Sequence, residues 1–327
     1  MPANVQSMAY YGEKPWHRLG QPVPQGVTAE EMIKAAGLDW EVKLQPARGS
    51  RKINDRGEFS RYEVVRLPRP GNSEEHISLG LVTRRYQPLQ NAEAFKFFDS
   101  IVNEGKAYFE TAGALGDGER VWVMARMPES IEIVRGDKCW NYLLLSNTHN
   151  GEGSVTVKFT FKRVVCQNTL MIALKDGQKA YRVRHSKQMQ FRLEELAEFL
   201  AITQDIFLRA ATLFKRLAQV EMKEERLLQY LDAVFPKTPS QKKEGKEPPK
   251  WTHIRELLET TPDLQLSGVR GTLWGAYNAI TYFEDYKQLI QEEVPDQRLE
   301  RIWFGSGADV KLKALQKAEI LSKPWLN

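Results

Sequence analysis

Cysteine is nearly missing from this sequence: two residues, Cys139 and Cys166, in a chain of 327. So few cannot staple a chain of this length, and no CxxC pair or histidine-rich spacing accompanies them, so neither a disulfide framework nor a zinc-finger type of site is expected. Long apolar runs are also missing. None comes near the roughly 20 residues that a membrane helix needs. The opening MPANVQSMAYYGEKPWHRLG lacks the cation-then-apolar order of a secretory signal. Both absences lead to the expectation of a cytoplasmic protein with no membrane partner. There is no Walker loop, HExxH, EF-hand or GxSxG pattern either. AGALGDGE contains glycines without the GxGxxG order and lies between strand-like runs, which makes it a hairpin turn rather than a phosphate cradle. No cofactor and no metal are expected.

What the chain does have is an uneven distribution of charge. The whole carries +5, but from Lys158 to Arg192 nine basic residues stand against one acid, Asp176. The surplus of eight in that window leaves the remainder net negative by three. Such asymmetry suits a polyanionic partner, although a merely solvated basic face has the same composition.

Hydrophobic patterning predicts an α+β protein. VTAEEMIKAAGL reads as a short helix, with Thr28 as cap and Gly37 as stop. DWEVKLQPA and SRYEVVRL read as strands around a polar turn, and ISLGLVTRRYQPLQ continues the β pattern to Pro88. NAEAFKFFDSIVNEG, with Asn91 as cap, is a second helix. Five further runs, divided by GDGE, Pro128, RGDK and NGEG, predict an antiparallel meander that ends in SVTVKFTFKRVV. There Val157, Phe159 and Phe161 alternate with Lys158, Thr160 and Lys162, so period two sends the apolar set to the core and the cations to the other face.

TLMIALKDG is then expected as a short helix and KAYRVRHS as a strand or arm. From Phe191 a long helix carries a stripe, Leu193, Leu196, Leu200, Thr203, Phe207, Ala210, Phe214 and Leu217, that packs on the sheet or on another helix, and the expected fold lays it across the sheet. PKTPSQKKEGKEPPK has almost nothing apolar and reads as a flexible linker or insertion. The expected organisation is therefore an α+β core over 1–235, a linker over 236–250 and a C-terminal helical segment over 251–327, packed on the core.

Two kinds of candidate site follow. Nucleic-acid binding needs cations for phosphates and flat groups on which bases stack; Lys158, Lys162, Arg163, Arg182, Arg184 and Lys187 supply the first and Tyr181 the second. Catalysis would use His149, Cys166 and Asn168, the residue types of a Cys-His-Asn nucleophile site, with Lys162 and Arg163 available to favour the thiolate. His17, His149 and His185 each stand apart from a second ligand at helical or CxxC-like spacing.

The segments KPWHRLG, GLVTRRYQPLQNAEAFKFFD, ETAGAL, RVWVMARMP, YLLLSNTHNGEGS, KRVVCQNTL, RHS and GTLWGAYNAIT occur together and in this order. As a set they resemble the phage/plasmid-like proteins of the family catalogued as domain of unknown function 932, from about Trp16 to the last helices. The resemblance implies a gene carried by a mobile element, and it brings no catalytic residue with it. The element order, strands with cations followed by a long helix across the sheet, is also similar to the ββ-β-α core of single-strand annealing proteins, which form rings or filaments and hold single-stranded DNA without ATP. The leading expectation is thus a protein that binds single-stranded DNA or RNA, with annealing and a homo-oligomer as its implied activity and state. The alternatives are a nucleic-acid-directed hydrolase or nuclease and an inhibitor of a host defence system.

Overall fold

The computed structural model describes residues 4–12, 15, 18–53, 57, 59–69, 76–103, 105, 107–163, 169–171, 181–189, 203–287 and 298–325. Cys166, Asn168, His17 and the first half of the helix expected from Phe191 lie outside the described residues. The chain is α+β and divides into two units that interleave along the sequence. The first takes 1–128, 142–158 and 180–203; the second takes 129–141, 159–179 and 204–327. Neither follows the expected boundary at residue 235.

Among the described residues eight strands make the larger sheet, in the order β10-β9-β8-β7-β6-β1-β2 with β11 also on β9. They are β1 (Val5–Tyr10), β2 (Gln21–Pro22), β6 (Tyr108–Leu115), β7 (Arg120–Val134), β8 (Asp137–Thr148), β9 (Val155–Arg163), β10 (Thr169–Met171) and β11 (Tyr181–Val183). The sequence runs RVWVMARM and SIEIVRG are one strand, β7, which passes through Pro128. Its β6 partner ends at Tyr108, opposite Arg126, so the missing N–H of Pro128 costs no β6 pair. TLMIALKDG starts as strand rather than helix: Thr169, Leu170 and Met171 pair with Lys162, Phe161 and Thr160.

In the first unit, β3 (Val42–Pro46), β4 (Tyr62–Arg66) and β5 (Ile77–Val82) form a separate antiparallel sheet. Helix α1 (Ala29–Ala35) is capped as its sequence predicts: Thr28 Oγ1 accepts from the Glu31 N–H at 3.2 Å, while the Glu31 carboxylate accepts from the Thr28 N–H at 2.8 Å. Helix α2 (Asn91–Asn103) buries Ala94, Phe95 and Phe98, and the two phenylalanines lie 5.8 and 6.0 Å from the ring of Phe109 on β6. Asn91 does not serve as its cap; the Gln90 N–H is taken instead by the Glu93 carboxylate at 3.0 Å.

The second unit is mainly helical: α3 (Thr203–Gln219), α4 (Glu224–Val234), α5 (Pro239–Glu244), α6 (Pro249–Thr260), α7 (Leu273–Tyr282), α8 (Arg298–Trp303) and α9 (Ser306–Trp325). Every residue from Leu273 to Thr281 is buried, the mark of a helix enclosed on all sides. The stripe on α3 packs as expected. Phe214 meets Phe161 of β9 edge-on at 5.4 Å and Trp274 of α7 at 4.9 Å, and full burial of such a side chain contributes about 1.5–3 kcal/mol. The stretch 236–250 holds a short helix, Pro239–Glu244, between irregular residues 236–238 and 246–248. Thr238 and Gln241 form a capping box, Gly245 ends α5 at φ +64°, and Trp251 Nε1 donates to the Phe235 carbonyl at 3.1 Å.

Candidate nucleic-acid interface and the histidines beside it

Strand β11 pairs antiparallel with the start of β9, placing Tyr181, Arg182 and Val183 opposite Val157, Thr156 and Val155. Beyond it the same alternation continues. Val183 and His185 are buried, whereas Arg182, Arg184 and Lys187 are exposed and Tyr181 is half-buried. This edge therefore turns its arginines to solvent while its apolar and imidazole groups face inward.

A second basic segment lies beside it. The Gln87 N–H donates to the His185 carbonyl at 3.3 Å, His185 Nδ1 donates to the Gln87 carbonyl at 3.0 Å, and the Tyr86 ring stacks on the His185 ring at 4.5 Å. These contacts join the segment that carries exposed Arg84 and Arg85 to the segment that carries exposed Arg184. Neither segment, 83–87 nor 181–189, contains an acid. Sequence reading missed Arg84 and Arg85; their signal was the adjacent pair in TRRYQ, at the point where the β pattern gives way to a turn.

Behind this rim the chain gathers polar side chains that are far apart in sequence. The amide Nδ2 of Asn91 donates to the carbonyls of Leu38 (3.0 Å) and Trp40 (3.4 Å), which turns its Oδ1 toward His149 Nε2 at 3.3 Å. Asn147 Nδ2 donates to the Leu89 carbonyl at 3.0 Å and also lies 3.3 Å from His149 Nε2. Tyr86 Oη donates to the Thr148 carbonyl at 3.0 Å, and Trp40 meets the His149 ring edge-on at 5.4 Å. His149 and Asn147 are 0% exposed. Burial, with His185 nearby disfavouring a second positive charge, pushes His149 down to about 3. His185 is also lowered by burial, against the opposing effect of its bond to the Gln87 carbonyl. Both rings are therefore neutral at pH 7.

The structure sorts the candidates accordingly. Lys158 is not an open phosphate contact: it is 8% exposed, and its face neighbours Thr156 and Thr160 are 9% and 1% exposed, so both faces of β9 are covered here. Lys162 is half-buried. Arg163 closes β9, and its side chain lies outside the described residues, as do Cys166 and Asn168. His149 is enclosed and neutral. Cys139 is fully buried, as a small core side chain.

The family model for the domain of unknown function (DUF932) matches residues 78–303, a span that contains the Tyr86–Asn91 turn, the Asn147–His149 strand end, His185 and the buried α7. The chain belongs to the DUF932 family. No curated protein and no solved structure matches it. Among the described residues of this DUF932 protein no helix is long and apolar enough to cross a membrane.

Proposed function

We propose that this DUF932 protein binds single-stranded nucleic acid along the rim formed by Arg182, Arg184 and Lys187 with Arg84 and Arg85. The observation that carries the reading is the double hydrogen bond between Gln87 and His185, which sets two acid-free basic segments side by side with their cations exposed. Guanidinium groups contact phosphates bidentately and stack on unpaired bases. Tyr181, half-buried beside Arg182, offers a further ring, a base stack contributing about 1–3 kcal/mol. The buried histidines position the rim and take no covalent part. On this reading the chain presents bound strands to complementary ones, and annealing without ATP, by a monomer or a ring, is the activity to assay.

The test is binding of a fluorescent single-stranded oligonucleotide and of its duplex across a salt series. Full use of the five cations gives a log K against log salt slope near −3.5, from about −0.7 per phosphate on single strands. Replacing Arg182 and Arg184 by Glu should lower affinity at least tenfold and flatten that slope by more than one. An unchanged slope in the double variant, or equal affinity for the duplex, rules the rim out as a single-strand site.

A further inference from the structure

The turn between β8 and β9 carries a reactive pair that the rim does not use. Asn150 is the only asparagine of the chain that precedes a glycine. Two demands of the fold put the pair there. Gly151 stands at φ +80°, and a Cβ on it would lie 2.6 Å from Val82 Cγ1 and 3.2 Å from the Leu81 carbonyl oxygen, both on β5, so the position takes glycine alone. Asn150 closes the turn with its side chain: Oδ1 accepts from the Glu152 N–H at 3.0 Å, and Nδ2 donates to Glu152 Oε2 at 3.3 Å.

Those bonds leave the carboxamide open to attack. A backbone N–H polarises its carbonyl, as the donors of an oxyanion hole do. The nearest nucleophile is the Gly151 nitrogen, one residue on and already held beside it by the chain. Gly151 is exposed, and its N–H meets no acceptor among the described residues. Asn91, Asn147 and Asn278 are situated differently. Each gives its Nδ2 to a buried carbonyl and is followed by a residue with a side chain.

We propose that Asn150–Gly151 is a site of self-modification in the folded protein, where the asparagine cyclises and reopens as aspartate or isoaspartate. The Gly151 nitrogen gives its proton to hydroxide and bonds to Asn150 Cγ; the Cγ–Nδ2 bond breaks, and ammonia leaves with a proton taken from water. Water then opens the succinimide. Attack at Cγ gives aspartate, and attack at the main-chain carbonyl carbon gives isoaspartate, whose main chain is one carbon longer. Both products carry a new negative charge. The longer main chain has no room against β5, because the place of a Cβ on Gly80 is only 2.5 Å from the Asn150 carbonyl oxygen, 2.8 Å from its Cα and 2.9 Å from its carbonyl carbon. Conversion therefore pushes the turn off β5, and it does not reverse.

The experiment incubates the full chain at mildly alkaline pH and follows released ammonia, intact mass and a peptide map. One ammonia per chain is expected, with a mass gain of one unit located at residue 150 and isoaspartate there that an isoaspartate methyltransferase labels. The rate should rise in proportion to hydroxide and reach at least a tenth of that of the chain unfolded in urea. Asn150→Gln, which must close a larger ring, should stay unmodified over the same period. The isoaspartyl form, separated by ion exchange, should unfold at lower urea than the parent, whereas Asn150→Asp, with the charge but not the extra carbon, should match it. Conversion confined to the unfolded chain, or an earlier loss at another asparagine, overturns the site. Equal urea midpoints for the isoaspartyl form and the parent overturn its effect on β5. Nucleic acid is absent from these measurements, so neither result bears on the rim.

Discussion

Lys311 is 0% exposed and places its Nζ 2.6 Å from Asp285 Oδ1, itself 2% exposed, in the second unit. At an effective dielectric near 20, two unit charges at that separation attract by about 6 kcal/mol, while desolvating each ion costs several kcal/mol. The two nearly cancel. The pair therefore adds little net stability, yet losing half of it is expensive: Lys311→Met should destabilise by about 3–5 kcal/mol, because it strips a buried carboxylate of its ammonium. Lys311→Met with Asp285→Asn should recover most of that loss. A double-mutant cycle by urea unfolding reads both numbers. A second readout comes from alkaline pH. Burial lowers the Lys311 pKa from 10.5, with Asp285 opposing the shift, so between the folded and the unfolded values the unfolded chain holds the extra proton and stability rises with pH. The Lys311→Met curve should lack that rise. A single-variant loss below 1 kcal/mol, or no recovery in the double variant, would refute the reasoning.

Two further losses follow from the first unit. A Cβ on Gly80 would stand 2.5 Å from the Asn150 carbonyl oxygen and 2.8 Å from its Cα, so Gly80→Ala should cost about 2–3 kcal/mol in urea unfolding; a change under 0.5 kcal/mol would mean that β5 is not held against that turn. Tyr142 Oη donates to both Glu110 oxygens, at 2.9 and 3.0 Å, and Tyr142→Phe should cost about 1.5–3 kcal/mol by the same assay, the range for bonds to charged groups.

Local signals in the sequence were read correctly where they act locally. The Thr28 cap, the β6 to β9 runs apart from the expected division at Pro128, and the α3 stripe at Ala210, Phe214 and Leu217 appear where their patterns put them. Signals that depend on distant residues were not legible. Alternation along β9 identified the apolar face through Phe159 and Phe161, but it carries no information on whether the polar face is covered, and Lys158 is buried. Asn91 has the residue type of a cap, yet the Leu38 and Trp40 carbonyls claim its amide. Composition alone made 236–250 look unstructured; Pro239 in the first turn, the Thr238 box and a left-handed Gly245 set a short helix, Pro239–Glu244, inside it. The rim was half visible. Arg182, Arg184 and Lys187 stood out by charge, whereas Arg84 and Arg85 join them only through the bond between Gln87 and His185.

The interleaving of the two units has a consequence for dissecting the protein. The backbone passes between them at 128/129, 141/142, 158/159, 179/180 and 203/204, and three of those passages fall inside β7, β8 and β9. No single cut releases either unit as one continuous piece. A fragment ending near 235 would keep Glu129–Asn141 and 159–179 but lack most of the helices that complete their unit, including Trp274, whose indole donates to Asp137 at 2.7 Å. During synthesis, a ribosome must reach α7 before Asp137 meets that partner. Shortened versions of this protein are therefore poor reagents for mapping its activity, and point substitutions in the whole chain are the appropriate tool.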